Sequence, residues 1–181
     1  MKITRIFVRN KQALFAVHTD GEEFDEFVKL FNQWKDPVFL MNFFMKHKNN
    51  LKKPFVNKIN DACLNVRKNA NLISQKIRDA ERDKVFLESL FQPLNDLESA
   101  YKIPQRSKHK IGNPKKDIPL RIYAIKADKN IYVITGGAIK LTNKMYEAEH
   151  TAEELKKLNK CKNFLKENEL NCIENFTEFG I

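Results

Sequence analysis

At 181 residues with 42% hydrophobic content, the chain can bury a real core and is short for two, so one domain spanning residues 1–181 is expected. A formal charge of +10 and a pI of about 9.5 point to a polyanionic partner, nucleic acid or an acidic protein segment. Cys63, Cys161 and Cys172 are odd in number, without C-x-x-C spacing or grouped histidines, so neither a zinc site nor a disulfide framework is suggested; the lack of an apolar leader or of a run of roughly 20 apolar residues leaves a reducing cytoplasm, not a membrane, as the expected setting.

Residues 2–8 and 12–18 alternate Ile, Phe and Val with polar groups around "RNKQ", the pattern of a β-hairpin, ended by Asp20-Gly21. "EEFDEFVKLFNQW" then sets Phe24, Phe27, Val28, Phe31 and Trp34 on one stripe of a short helix. Asp36-Pro37 supplies an N-cap and a first helical residue, so "PVFLMNFFMKHK" reads as a second short helix. From about Val56 to Phe91 apolar residues step by three and four through Ile59, Val66, Ala70, Ile73 and Ile77, predicting one long amphipathic helix closed by "QPLND". Its stripe suits a coiled-coil seam or, as the favoured reading, packing on the protein's own sheet.

Residues 102–116, "KIPQRSKHKIGNPKK", carry Lys102, Arg106, Lys108, Lys110, Lys115 and Lys116 with no acidic residue. Such a segment is either a solvated loop or part of a polyanion-binding surface. "IPLRIYAIK", "ADKN" and "IYVIT" follow as a second hairpin over residues 118–135. Gly136 and Gly137 mark the end of its second strand, where glycine permits a bulge or the close approach of another segment. Beyond them Lys140 alternates with Ile139 and Leu141, so it should face the polar side of the neighbouring strand, with Arg121. Thr151 and Glu154 form a T-x-x-E capping box that starts a helix with Leu155, Leu158, Cys161 and Leu165 as its buried stripe, leaving "NKMYEAEH" as an anchored loop.

The run "LRIYAIKADKNIYVITGGAIKLTNKMYE" resembles the C-terminal hairpin of the RelE/HigB toxins (RelE/ParE superfamily) of bacterial type II toxin–antitoxin systems, over about residues 105–167. In those toxins a Y-R-hydrophobic-x-Y strand, a turn, an apolar strand and a Gly-x-x-Lys/Arg run follow in this order. The resemblance implies an α+β, microbial ribonuclease-type fold, with a small antiparallel sheet on N-terminal helices, here enlarged, and a C-terminal helix. It also implies ribosome-associated mRNA cleavage without a cofactor or metal, and neutralisation by a cognate antitoxin, a small helix-turn-helix DNA-binding protein. It sets Arg121 at the basic position of the strand, Lys140 at the one after the glycines, Tyr146 at a catalytic tyrosine, and Lys108 and Lys110 at a Lys-x-Lys pair. Here "IPLR" stands where the family has a Tyr-Arg pair, "IKLT" where it has two successive basic residues, and "IGNPKKD" is inserted before Arg121.

The chemistry can be stated from the residues themselves. Attack of a 2′-hydroxyl on the adjacent phosphate needs a base, an acid for the leaving 5′-oxygen, and positive charge on the developing phosphorane. Arg121 can clamp phosphate oxygens bidentately and Lys140 and Lys110 can add point charges. Tyr146, Lys108 or His150 can move the proton, His150 from an ordinary pKa near 6.5; equally, Tyr146 can pack over its loop and His150 merely precede a helix cap. Arg106, Lys108, Lys110, Tyr123, Lys126 and Lys144 complete the expected RNA-binding set. Two other readings use the same residues: a protein-binding inhibitor of the gyrase type, and a basic RNA-binding module without turnover.

Overall fold

The computed structural model describes residues 1–94, 105–111, 117–141 and 149–179, without the side chains of 105–107 and 149–151. The chain is α+β, built around a six-stranded mixed sheet. Its strands are β1 (Lys2–Arg9), β2 (Gln12–His18), β3 (Gln92–Pro93), β4 (Gln105–Ile111), β5 (Leu120–Asp128) and β6 (Ile131–Ile139), in the spatial order β1-β2-β6-β5-β4-β3. The helices are α1 (Glu26–Lys35), α2 (Pro37–Lys46), α3 (Ile59–Glu81), α4 (Leu87–Leu90), α5 (Glu149–Glu167) and α6 (Ile173–Glu178).

All neighbouring strands are antiparallel except the adjacent pair β2 and β6, which run parallel, so the expected antiparallel sheet is corrected to a mixed one. Parallel strands require a long connection, and here it comprises α1 to α4 followed by β3, β4 and β5. The sheet is covered on both faces, which explains why the central strands are apolar almost throughout. One core joins Leu14, Leu120, Ile122, Tyr132 and Ile134 to Leu30, Trp34 and Phe44 of the α1–α2 pair and to Val66, Ala70 and Ile73 of α3. On the other face Phe15, Tyr123, Ile125 and Val133 meet Leu158, Cys161 and Leu165 of α5 and Phe176 of α6.

Both short helices start where local chemistry predicts. The Asp25 carboxylate accepts from Val28 N at 2.9 Å and caps α1, and Asp36 accepts from Val38 N at 2.8 Å to cap α2 ahead of Pro37. The long helix is shorter than its periodicity suggests. It stops at Glu81, and Asp83 turns the chain at a φ of 57°. Gln12 stabilises that break: its amide donates to Ala80 O at 2.9 Å and Asp83 Oδ1 at 3.0 Å, and its carbonyl accepts from Leu87 N at 3.0 Å. The turn is therefore fixed by a side chain about seventy positions away, and Pro93 has no part in ending α3. The α3 stripe is buried in the protein's own core rather than spent on a coiled coil.

Candidate functional site

The strand of Arg121 is held in place from α3. Asn65 Nδ2 donates to Asp117 Oδ1 at 2.9 Å, Ile118 N donates to Asn65 Oδ1 at 2.8 Å, and Asn69 Nδ2 donates to Ile118 O at 3.1 Å. On the far side Lys140 N donates to Pro119 O at 2.9 Å, which joins the end of β6 to the start of β5. At this end of the sheet lies a cleft of about 200 Å³, lined by Lys52, Lys53, Phe55, Pro119, Arg121 and Lys140 among others. Arg121 and Lys140 thus border one cleft, together with two lysines from the connection between α2 and α3. Asp117 also lines it, so the lining is cationic on balance and not uniformly so.

The register of β4 extends the cationic surface. Lys110 lies directly opposite Arg121, and Lys108 opposite Tyr123, with cross-strand neighbours about 5 Å apart. Residues alternate between faces, and Tyr123 packs on the α5 side, so Lys108, Lys110, Arg121 and Tyr123 share that face. Lys110 is exposed, whereas Lys108 directs its Nζ to Leu94 O at 3.3 Å. Residues 105–111, readable from the residues alone as part of a basic loop, are a strand, with His109 and Ile111 turned to the helices.

The two glycines are explained by what covers them. β6 continues through them to Ile139 rather than ending there, with a bulge where Tyr123 faces Gly136 and Ala124 faces Ile134. A Cβ at Gly136, whose φ is +155°, would fall 1.8 Å from Glu154 Oε2; one at Gly137 would fall 2.5 Å from the Arg121 carbonyl oxygen and 2.9 Å from Leu30 Cδ1. Glycine is needed because α5 presses a carboxylate onto the strand and α1 presses a leucine onto it.

Glu154 is the group that sequence reasoning missed. α5 begins at Glu149, so Thr151 lies inside the helix instead of capping it. The Glu154 carboxyl is buried, receives Lys157 Nζ on Oε1 at 2.8 Å, and leaves Oε2 without a partner. Lys157 also reaches the buried Glu26 at 3.0 Å, tying α5 to α1. Burial pushes the Glu154 carboxyl up to about 7, against the opposing pull of Lys157 and the Gly137 amide. Tyr123 is nearby: burial pushes its hydroxyl up to about 12, with Arg121 and Glu154 acting on it in opposite senses, and the hydroxyl has no hydrogen-bond partner. Arg121 Nε is likewise buried and unpartnered. Three unsatisfied polar atoms therefore gather on one face of β5 and β6, where each costs about 1–3 kcal/mol.

The remaining expected residues fall apart from this group or beyond the described residues. Tyr123 is fully buried and sits beneath the surface it was expected to form. Lys126 lies on the opposite face, opposite Tyr132, and is ion-paired with Glu88, so it does not join the cleft. Arg106 is opposite Ile125 and His150 falls in the first turn of α5, but both side chains are outside the described residues, as are Tyr146 and Lys144 altogether. Lys102, Lys115 and Lys116 are also outside them. Lys52 and Lys53 were signalled only by the basic run "KHKNNLKK" after α2. Among the described residues no group of three or more His, Cys, Asp or Glu could hold a metal ion, and no helix is long and apolar enough to cross a membrane. In comparisons with known proteins, no family model, no curated protein and no solved structure matches the chain.

Proposed function

We propose that the chain binds RNA through the cleft at the end of β5 and β6 and cleaves it as a toxin-type, metal-independent endoribonuclease, by attack of the 2′-hydroxyl on the adjacent phosphate. The observation that carries this reading is the convergence of Arg121 and Lys140 with Lys52 and Lys53 on a single cleft, with Lys110 across the strand from Arg121. In the proposed reaction Arg121 grips two phosphate oxygens and Lys140 adds charge that counts most as the phosphorane forms. Tyr146, in the segment between Leu141 and α5, and His150, in the first turn of α5, are the candidates for proton transfer. A surface of this charge calls for an inhibitor with an acidic segment that orders over the cleft, the role assigned to the antitoxin.

The test is cleavage of RNA, with and without ribosomes, by purified protein carrying Arg121→Ala or Lys140→Ala. Each should lose on the order of 10² to 10³ in rate, the usual cost of one preorganised charge at a developing oxyanion. Lys68→Ala, an exposed change on α3, should cleave like the parent. Full activity in folded Arg121→Ala and Lys140→Ala would overturn the ribonuclease reading in favour of a protein-binding inhibitor.

A further inference from the structure

α2 departs from the pattern of its neighbour α1. Only Asn42 and Lys46 of the helix are polar, yet only Leu40 and Phe44 are buried. A helix that is apolar on all sides normally lies inside a fold, whereas a surface helix turns polar residues to the solvent. α1 follows the second rule, with Asn32 and Lys35 exposed. On α2 the outward positions are instead Val38, 66% exposed, and Met45, 60% exposed, with the half-buried Met41 beside them. None of these three belongs to either core.

Val38, Met41 and Met45 stand at i, i+3 and i+7, so they form a second apolar stripe, about 10 Å long, apart from the one that faces the core. This is the spacing of anchor residues in helix-mediated contacts, and unbranched methionine side chains adapt to the shape of what they meet. The ends of the stripe are cationic. Lys35 precedes the helix, and Lys46 and Lys48 stand at its end, all three exposed. Between Glu26 and Asp61 the one acidic residue is Asp36, whose carboxylate is already engaged by Val38 N as the N-cap. None of these side chains lines the cationic cleft of Arg121 and Lys140.

We propose that the outer face of α2 is the docking site for a protein partner, which lays across it the apolar side of an amphipathic helix with acidic flanks. The inference stands apart from the RNA reading of the cationic cleft. Charge selects the occupant. A second copy of the chain, related by a two-fold axis through the stripe, would set one lysine-bearing surface against another, and like charges across an interface disfavour it. A helix carrying Asp or Glu beside its apolar residues meets Lys35, Lys46 and Lys48 with the opposite sign. Asn42 argues against a lipid surface. It is exposed, four residues after Val38 and three before Met45, and so lies among them on the same face. Hydrocarbon would leave its amide without a hydrogen bond, whereas a polar side chain of a partner helix can supply one.

The experiment titrates the full-length protein by calorimetry with a peptide of about 15 residues, held helical by a side-chain lactam, with leucines on one stripe and glutamates beside it. Two controls accompany it: a scrambled peptide of the same composition and charge, which has no stripe, and a peptide with lysines in place of the glutamates. The acidic amphipathic peptide should bind at least about tenfold more tightly than either control. The double variant Val38→Ser/Met45→Ser should lose that margin while melting like the parent, because both positions are exposed. Lys46→Glu should narrow the preference for the acidic over the basic peptide. Absence of binding, equal binding of the acidic and scrambled peptides, or an undiminished margin in the folded double variant would overturn the proposal. So would a concentration-dependent dimer in sedimentation that the double variant abolishes, which would give the face to a second copy. Binding to vesicles of mixed neutral and anionic phospholipid, lost in the same variant, would overturn it in favour of a membrane surface.

Discussion

Glu154 shows how a single carboxyl can oppose the fold that holds it. Its pKa is raised from an ordinary 4.5 to about 7, so the folded state binds a proton more tightly than the unfolded chain. Its favourable contribution is complete below about 4.5 and is lost as the pH rises through about 7, a swing on the order of 3 kcal/mol. His109 works in the other direction. Its Nδ1 lies 2.6 Å from Leu90 O, its Nε2 is buried without a partner, and burial pulls its pKa below 6.5, so its contribution is present above 6.5 and fades on acidification. Glu154→Gln should therefore be more stable than the parent at pH 8 and no more stable at pH 5, since Lys157 keeps Glu26 in both proteins. Denaturant melts of the two proteins at both pH values isolate this group from His109. A stability difference that does not change between pH 5 and pH 8 would contradict the assignment.

At the scale of elements, β6 is held between α1 and α5, and Gly137 is where a neighbouring backbone atom encloses it. A methyl group there would meet the Arg121 carbonyl oxygen, a backbone atom that cannot swing aside, as well as Leu30. Gly137→Ala should cost about 1–3 kcal/mol by overpacking, which for a chain of this size lowers Tm by roughly 2–12 °C. Thermal melting by circular dichroism measures it, and a Tm within 1 °C of the parent would show that the strand has more room than its neighbours suggest. The glycine pair itself was visible in the sequence, and so was the possibility of a bulge; what pressed on it was not, because Leu30 and Glu154 are far away along the chain. The same limit governs the rest. The two hairpins and the short capped helices were legible, since alternation and Asp-Pro capping are local signals. The end of α3 was not, because it depends on Gln12, nor was β4 from its residues alone, because its lysine-rich face hides the alternation of a strand. Arg121 and Lys140 could be paired in advance from hairpin geometry, whereas Lys52 and Lys53 reach the cleft only through tertiary packing.

For the whole molecule, the charge of +10 matters less through its sum than through its placement. At physiological ionic strength the screening length is about 8 Å, so most surface lysines steer a polyanion without holding it. The cations that should hold it are the four on the cleft, Arg121, Lys140, Lys52 and Lys53. Each phosphate neutralised releases condensed counterion, and for a single strand the logarithm of the binding constant falls with the logarithm of salt at about 0.7 per contact. Four contacts therefore imply a slope of about −3 for a short oligoribonucleotide. Arg121→Ala should reduce its steepness by about 0.7, and the Lys52→Ala/Lys53→Ala pair by about 1.4. Lys68→Ala, exposed on α3, should change the affinity slightly and leave the slope as it is. Fluorescence anisotropy of a labelled 2′-O-methyl oligomer between 50 and about 300 mM salt gives all four lines. A slope shared by the parent, Arg121→Ala and the lysine pair would mean that the RNA is held by diffuse charge elsewhere on the surface, and the cleft would lose its claim to the phosphodiester.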